Sequence, residues 1–145
     1  MVYNDLNQLI QKHNGTAGDF NSGTERWSYT YDDNGNLVEK KKETKSGSWT
    51  QAEKWNYTWN PRDQLVRAVK FTTGGNNVGS VEYEYCLSCD GALSKRFEFG
   101  AGNGSSAGAL ASGYRFEYDG LNLLRMDQLP SPQGGSDSGS PCPTR

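Results

Sequence analysis

An aromatic residue stands at positions 3, 31, 59, 85 and 118, and each is followed by a turn signal and then by Leu. The steps between these residues are 28, 28, 26 and 33. Self-similarity at a period of this size constrains a fold more than overall composition does, because each unit must be one supersecondary element that packs on its neighbours. Before three of these positions the aromatics alternate: Trp27, Tyr29, Tyr31; Trp55, Tyr57, Trp59; Tyr114, Phe116, Tyr118. Alternate residues of a strand share a face, so each triplet predicts a strand with one aromatic side and one wetter side. Asp32, Asn34 and Gly35, then Pro61, then Asp90 and Gly91, then Asp119 and Gly120 supply the turns. Asn-Gly and Asp-Gly tolerate the positive φ that tight hairpins need, and Pro presets φ for a turn. Leu37, Leu65, Leu93 and Leu124 open the return strands. A truncated copy, Tyr3 to Leu9, opens the chain, so its phase predicts a hairpin where Asp5 to Lys12 could be mistaken for a helical turn.

The unit is therefore strand, turn, strand and linking loop. On the return strands Leu65, Arg67, Val69 and Phe71 are expected on one face, and Leu93, Phe97 and Phe99 likewise with Lys95 between. One hairpin is marginal alone in water, whereas stacked hairpins support one another. The predicted fold is all-β: tandem hairpins forming one curled antiparallel sheet of roughly nine or ten strands, open rather than a closed shell, with minimal helix. This domain is assigned to residues 1–128. Residues 129–145 hold four of the five prolines and no aromatic, which predicts a flexible Pro/Gly/Ser-rich tail.

The apolar supply is thin. Hydrophobic residues make up 33% of the 145-residue chain, against 12% aromatic, so aromatics are expected to build much of the core. The same abundance of aromatics argues against disorder. A net charge of −2 lacks the basic excess of a nucleic-acid binder. The run Lys40, Lys41, Lys42 and Lys45, broken by Glu39 and Glu43, is read as a solvated strand face. No apolar run approaches a membrane span, and no secretory signal opens the chain.

The candidate chemical sites are few. Cys86 and Cys89 have CxxC spacing, but the two further zinc ligands are missing at any matched spacing; the remaining readings are a free thiol pair or a disulfide across a lengthened turn, with Cys142 left over. His13 is the single histidine and is expected in a solvated loop. Asp32, Asp33, Asp63, Asp90 and Asp119 recur at turns and are explained as turn formers rather than acid–base pairs or calcium ligands. The stretch Gly100 to Gly104 lacks the Lys-Ser/Thr of a phosphate loop and is read as a linker that lengthens one repeat. No metal or cofactor is called for. The tryptophans Trp27, Trp49, Trp55 and Trp59 are expected in the core, with stacking on sugar rings as the competing use; Trp49 lies outside the repeat phase and is the one expected to be exposed or to cap an edge.

The segment Tyr29 to Leu37, with Tyr31, Asp32, Asn34 and Gly35, resembles the YD repeat of Rhs proteins, the Tc-toxin C component and teneurins. The other copies are more degenerate, and the resemblance covers about residues 1–128. It implies a structural role: a segment of the β-strip that in that family winds into a shell around a toxic polypeptide. Further repeats, other copies meeting at sheet edges, or an enclosed polypeptide are the implied partners, and an exported or cell-surface setting the implied location. The chain carries far fewer repeats than a closed shell needs, and it has no Asp-Pro pair.

Overall fold

A computed structural model describes residues 1–87, 90–120 and 122–130. The described residues form ten strands: β1 (Val2–Tyr3), β2 (Leu9–His13), β3 (Glu25–Tyr31), β4 (Leu37–Ser46), β5 (Ser48–Trp59), β6 (Leu65–Thr72), β7 (Asn77–Cys86), β8 (Ala92–Phe99), β9 (Leu110–Asp119) and β10 (Asn122–Leu129). A 3-10 turn, Thr73–Gly75, precedes β7. The sheet order is β1 to β10 without a crossover. Every adjacent pair is antiparallel, so the structure is the open, all-β hairpin array that the repeat predicts. Residues 131–145 lie outside the described residues; β10 itself runs to Leu129.

The register divides the sheet into two faces, since directly paired residues share a side. One face carries Trp27, Tyr29, Trp55, Tyr57, Tyr83 and Tyr114. Lysine alternates with these rings across the strands: Trp27 pairs with Lys42, Tyr29 with Lys40, Lys40 with Trp55, and Trp55 with Lys70. The other face carries Arg26, Glu43, Val69, Phe71, Ser80 and Phe97. Cross-strand ion pairs line both: Lys42 with Glu25 at 2.6 Å and Lys70 with Glu53 at 2.8 Å on the aromatic side, Arg26 with Glu43 at 2.8 Å and Lys95 with Glu84 at 3.0 Å on the other.

Burial departs from the expected aromatic core. The buried apolar residues are Ala68, Val69, Phe71 and Cys86, and no tryptophan is among them. Trp27, Trp49, Trp55 and Trp59 are all half-buried. The physical reason is that the described residues form one sheet with no second layer, which leaves each ring one side to water. Cationic stems fill the gap instead: Lys12 and Lys42 lie 5.3 Å and 5.0 Å from the Trp27 ring centre, and Lys70 lies 5.3 Å from that of Trp55. A cation over an indole face is attracted by the ring quadrupole, and its methylenes cover apolar surface. Trp49, out of phase in sequence, stacks on Arg26 at 4.4 Å; the same guanidinium lies 5.2 Å from Phe20 in the 14–24 loop.

Ala68 is buried on the aromatic face, while Val69 and Phe71, with the buried Asn77 and Ser80, form a small cluster on the other face at β6 and β7. The 100–109 loop, read from sequence as a linker, is tied to this face. Arg67 donates to the Ser105 carbonyl at 2.6 Å and Asn77 to the Ser106 carbonyl at 2.8 Å. Phe71, only 5% exposed, anchors the cluster. Phe71→Ala should therefore destabilise the fold by about 3 kcal/mol, in line with large-to-small core changes. Leu123→Ala, on an edge strand at 53% exposure, should change stability by less than about 0.5 kcal/mol. Urea unfolding monitored by tryptophan fluorescence separates the two; equal effects would contradict a core centred on β6.

Candidate functional site

Three turns are built alike. Each begins with Asn4, Asp32 or Asn60 immediately after the turn aromatic. The side-chain oxygen of this residue accepts from backbone amides two and four residues on: Leu6 and Gln8 at 3.1 and 2.9 Å, Asn34 and Asn36 at 3.1 and 2.8 Å, Arg62 and Gln64 at 2.9 and 3.1 Å. The backbone closes over it in the same way, with Asn7, Gly35 and Asp63 donating to the first residue's carbonyl at 2.9 to 3.0 Å. Those three residues hold φ of 61°, 89° and 57°, the left-handed region that Gly, Asn and Asp visit most readily. The recurring acid at the turn is thus an acceptor for backbone donors, and an amide serves equally.

Each turn also reaches the next. Gln8 donates to the Gly35 carbonyl at 3.3 Å, Asn36 to the Asp63 carboxylate at 2.7 Å, and Gln64 to the Gly91 carbonyl at 2.9 Å. The three links span 27 residues each and form a row along one rim of the sheet.

The turn aromatic has a second task. Tyr3, Tyr31, Trp59 and Tyr85 pair directly with Leu9, Leu37, Leu65 and Leu93, and a β-bulge follows on the return strand. The bulge flips Leu65 and Leu93 to the aromatic face, so they do not share a side with Arg67 and Phe71 or with Lys95 and Phe97 as simple alternation predicts. The ladders between hairpins stop at Gln11, Glu39 and Arg67, two residues short of each Leu. The next repeat's aromatic fills the place: Tyr31 Oη donates to the Leu9 carbonyl at 3.0 Å, Trp59 Nε1 to that of Leu37 at 2.8 Å, and Tyr85 Oη to that of Leu65 at 2.8 Å. Burial raises the Tyr85 pKa, with a smaller contribution from Tyr83, so the donor stays protonated.

The remaining candidates fall as follows. Tyr118 pairs with Leu123 rather than Leu124, because the turn around Gly120 is shorter and Leu124 becomes the bulged residue. No bond from Tyr118 to the Leu93 carbonyl is present among the described residues. Cys86 takes the capping position of the fourth turn and is disulfide-bonded. Cys89 lies outside the described residues, as does Cys142. At the fourth turn Asp90 and Gly91 adopt positive φ, and Gly91 donates to the Cys86 carbonyl at 3.1 Å. His13 accepts from the Gly15 amide at 3.3 Å and meets Phe20 edge-on at 5.9 Å. Among the described residues no group of three His, Cys, Asp or Glu could hold a metal. Two shallow cavities open on the sheet. One, about 370 Å³, lies between Gln8, Tyr31 and Asp32 at the rim; the other, about 190 Å³, lies beside Trp55, Lys70, Gly79 and Glu98.

The sequence reading missed Gln8, Asn36 and Gln64, although an amide four residues after the cap is visible once the copies are aligned. Nor does alternation show why positions 31, 59 and 85 hold Tyr or Trp and never Phe: there the side chain donates to the preceding repeat's Leu carbonyl, which Phe cannot do.

Removing one donor tests this arrangement. Tyr85→Phe leaves the Leu65 carbonyl unpaired and should cost about 1–2 kcal/mol, whereas Tyr118→Phe should cost less than about 0.5 kcal/mol. Equal costs in denaturant unfolding would refute the bridging role. Asp32 supplies a second test. Desolvation pushes its pKa up, but hydrogen bonds from Asn36, Asn34 and Gly35 outweigh it and hold the carboxyl below its ordinary value. Glu43 is likewise lowered, chiefly by its hydrogen bond from Arg26, and Glu53 by that from Lys70. A depressed folded pKa contributes stability above the unfolded carboxylate value and loses it as pH falls through the folded one. Asp32→Asn keeps the acceptor, as Asn4 and Asn60 do. It should leave neutral-pH stability nearly unchanged and make the loss on acidification shallower; an unchanged acid profile would remove Asp32 from the account.

No protein-family model matches the chain, and no curated protein matches it.

Proposed function

We propose that this chain is a non-enzymatic scaffold, an open segment of YD-repeat sheet of the Rhs type, whose partners are further repeats, other copies meeting it at a sheet edge, or a polypeptide held against it. The observation that carries this reading is the repeat-to-repeat linkage. The first three hairpins each offer a carbonyl at their Leu, Leu9, Leu37 or Leu65, and receive the donor of the next aromatic, and the rim amides of the same three turns repeat the relation. A unit of this kind can be extended without changing its internal contacts. The DNA flanking the coding region tests it: in-frame copies of the Tyr/Trp–turn–Leu unit are expected, and flanks devoid of them would overturn the reading.

A second reading uses the aromatic face to bind a glycan. Its support is that Trp27 and Trp55 are half-buried rather than sealed, and that a cavity of about 190 Å³ beside Trp55 is bordered by Lys70 and Glu98. Rings with nearby polar groups suit stacking against a sugar. Titration of a broad glycan panel should shift tryptophan fluorescence, and Trp55→Phe should abolish the shift. A flat response across the panel would leave only the scaffold.

A further inference from the structure

The two edges of the sheet are unlike. At one end β1 is a two-residue strand. At the other, β10 spans eight residues and contains neither Lys nor Pro. It exposes Leu123 at 53%, Leu124 at 67% and Met126 at 58%. Very short strands, charged side chains (Lys above all), Pro, β-bulges and inward charges are the usual means of keeping an edge from pairing. The first edge has the short strand; β10 has a bulge near its start, between Leu123 and Arg125, and two charges, Arg125 and Asp127, that pair with each other, and it is regular from Arg125 to Leu129.

We propose that β10 is a self-association surface: two copies pair their β10 strands antiparallel about a two-fold axis at Met126. This deepens the edge-pairing part of the scaffold reading by naming the strand, the register and the partner, a second copy of this chain. A two-fold axis requires that a residue and its opposite share a face, which leaves only registers centred on a residue. Centring on Arg125 sets two arginines against each other, and centring on Asp127 sets two aspartates against each other; like charges directly opposite are unfavourable. Centring on Met126 places Met126 against its counterpart and Arg125 against Asp127 of the second copy, twice. Beyond the bulge, Leu123 and Leu124 then lie toward Leu129 and Gln128 of the second copy.

The neighbouring strands agree with this register. Within the chain Asp127 pairs with Arg115 and Arg125 with Glu117, and Arg115 pairs in turn with Lys95. Lys95 is ion-paired with Glu84 at 3.0 Å. On that face the row Glu84, Lys95, Arg115, Asp127 would continue into Arg125 and Glu117 of the second copy, with opposite charges meeting at the junction. The Arg125–Asp127 contact within one strand, at 2.6 Å, already holds both side chains on that face.

The test is the solution mass of the full chain, 16.0 kDa as a monomer, by size-exclusion chromatography with light scattering. The expected result is twice that mass at tens of micromolar. Met126→Lys, which opposes two ammonium groups on the axis, should return the mass to one chain with an unchanged circular dichroism spectrum. Amide hydrogen exchange on the unmodified protein gives a readout free of any folding defect: protection of 122–129 should rise with concentration while that of β1 and β2 does not. A monomer at all concentrations overturns the proposal. So does a dimer that Met126→Lys leaves intact, which would place the contact elsewhere. So does a full chain that is monomeric but dimerises once 131–145 are removed, since the C-terminal segment would then be the occupant of β10. None of these outcomes bears on the flanking repeats, so the scaffold reading stands or falls separately.

Discussion

The architecture depends on one hydrogen bond made repeatedly between hairpins. A bulge after Leu9, Leu37 and Leu65 ends the ladder to the next strand early and leaves that Leu's carbonyl without a ladder partner. An unpaired carbonyl in a part-buried position is costly. The phenol or indole of the next repeat supplies the missing donor at 2.8 to 3.0 Å. This ties three features together. The turn residue must be Tyr or Trp, the bulge is compensated, and the spacing between turns is fixed on the rim where these bonds lie.

The opposite rim is less constrained. The linking connections differ in length, from the single residue Gly47 to the loops 14–24 and 100–109. Variation there is absorbed because those loops make their own attachments, through Arg26 between Phe20 and Trp49 and through Arg67 and Asn77 to Ser105 and Ser106. A sheet without a covering layer thereby gains local cover from loops and cationic stems. Its interior is correspondingly small, limited to a few residues around Val69 and Phe71.

Most of the fold was legible in the sequence, because strand alternation and turn chemistry are local signals. The order of ten strands follows from short connections alone. What alternation could not give is the bulge. One extra residue after Leu37, Leu65 and Leu93 reverses the facing of everything before it, and no residue type marks it. The tryptophans were misplaced for a related reason: apolar composition suggests burial, but burial needs a second layer, and the number of layers is not written in a strand pattern. Of the candidate site, Asp32 was legible as a turn former that accepts from nearby backbone. The amides at 8, 36 and 64 were visible but had no meaning until the turns were seen side by side.

The uncrossed strand order has a mechanical consequence. The first and last strands lie at opposite edges of the sheet, so tension applied to the two ends of the array acts across the hydrogen-bonded pairs rather than along them. Such a load peels strands away one at a time from the edges instead of shearing many bonds together. The hairpins that begin at Tyr31, Trp59 and Tyr85 would come free when that aromatic lets go of the preceding carbonyl, so this part of the array would extend in steps of one repeat and yield softly.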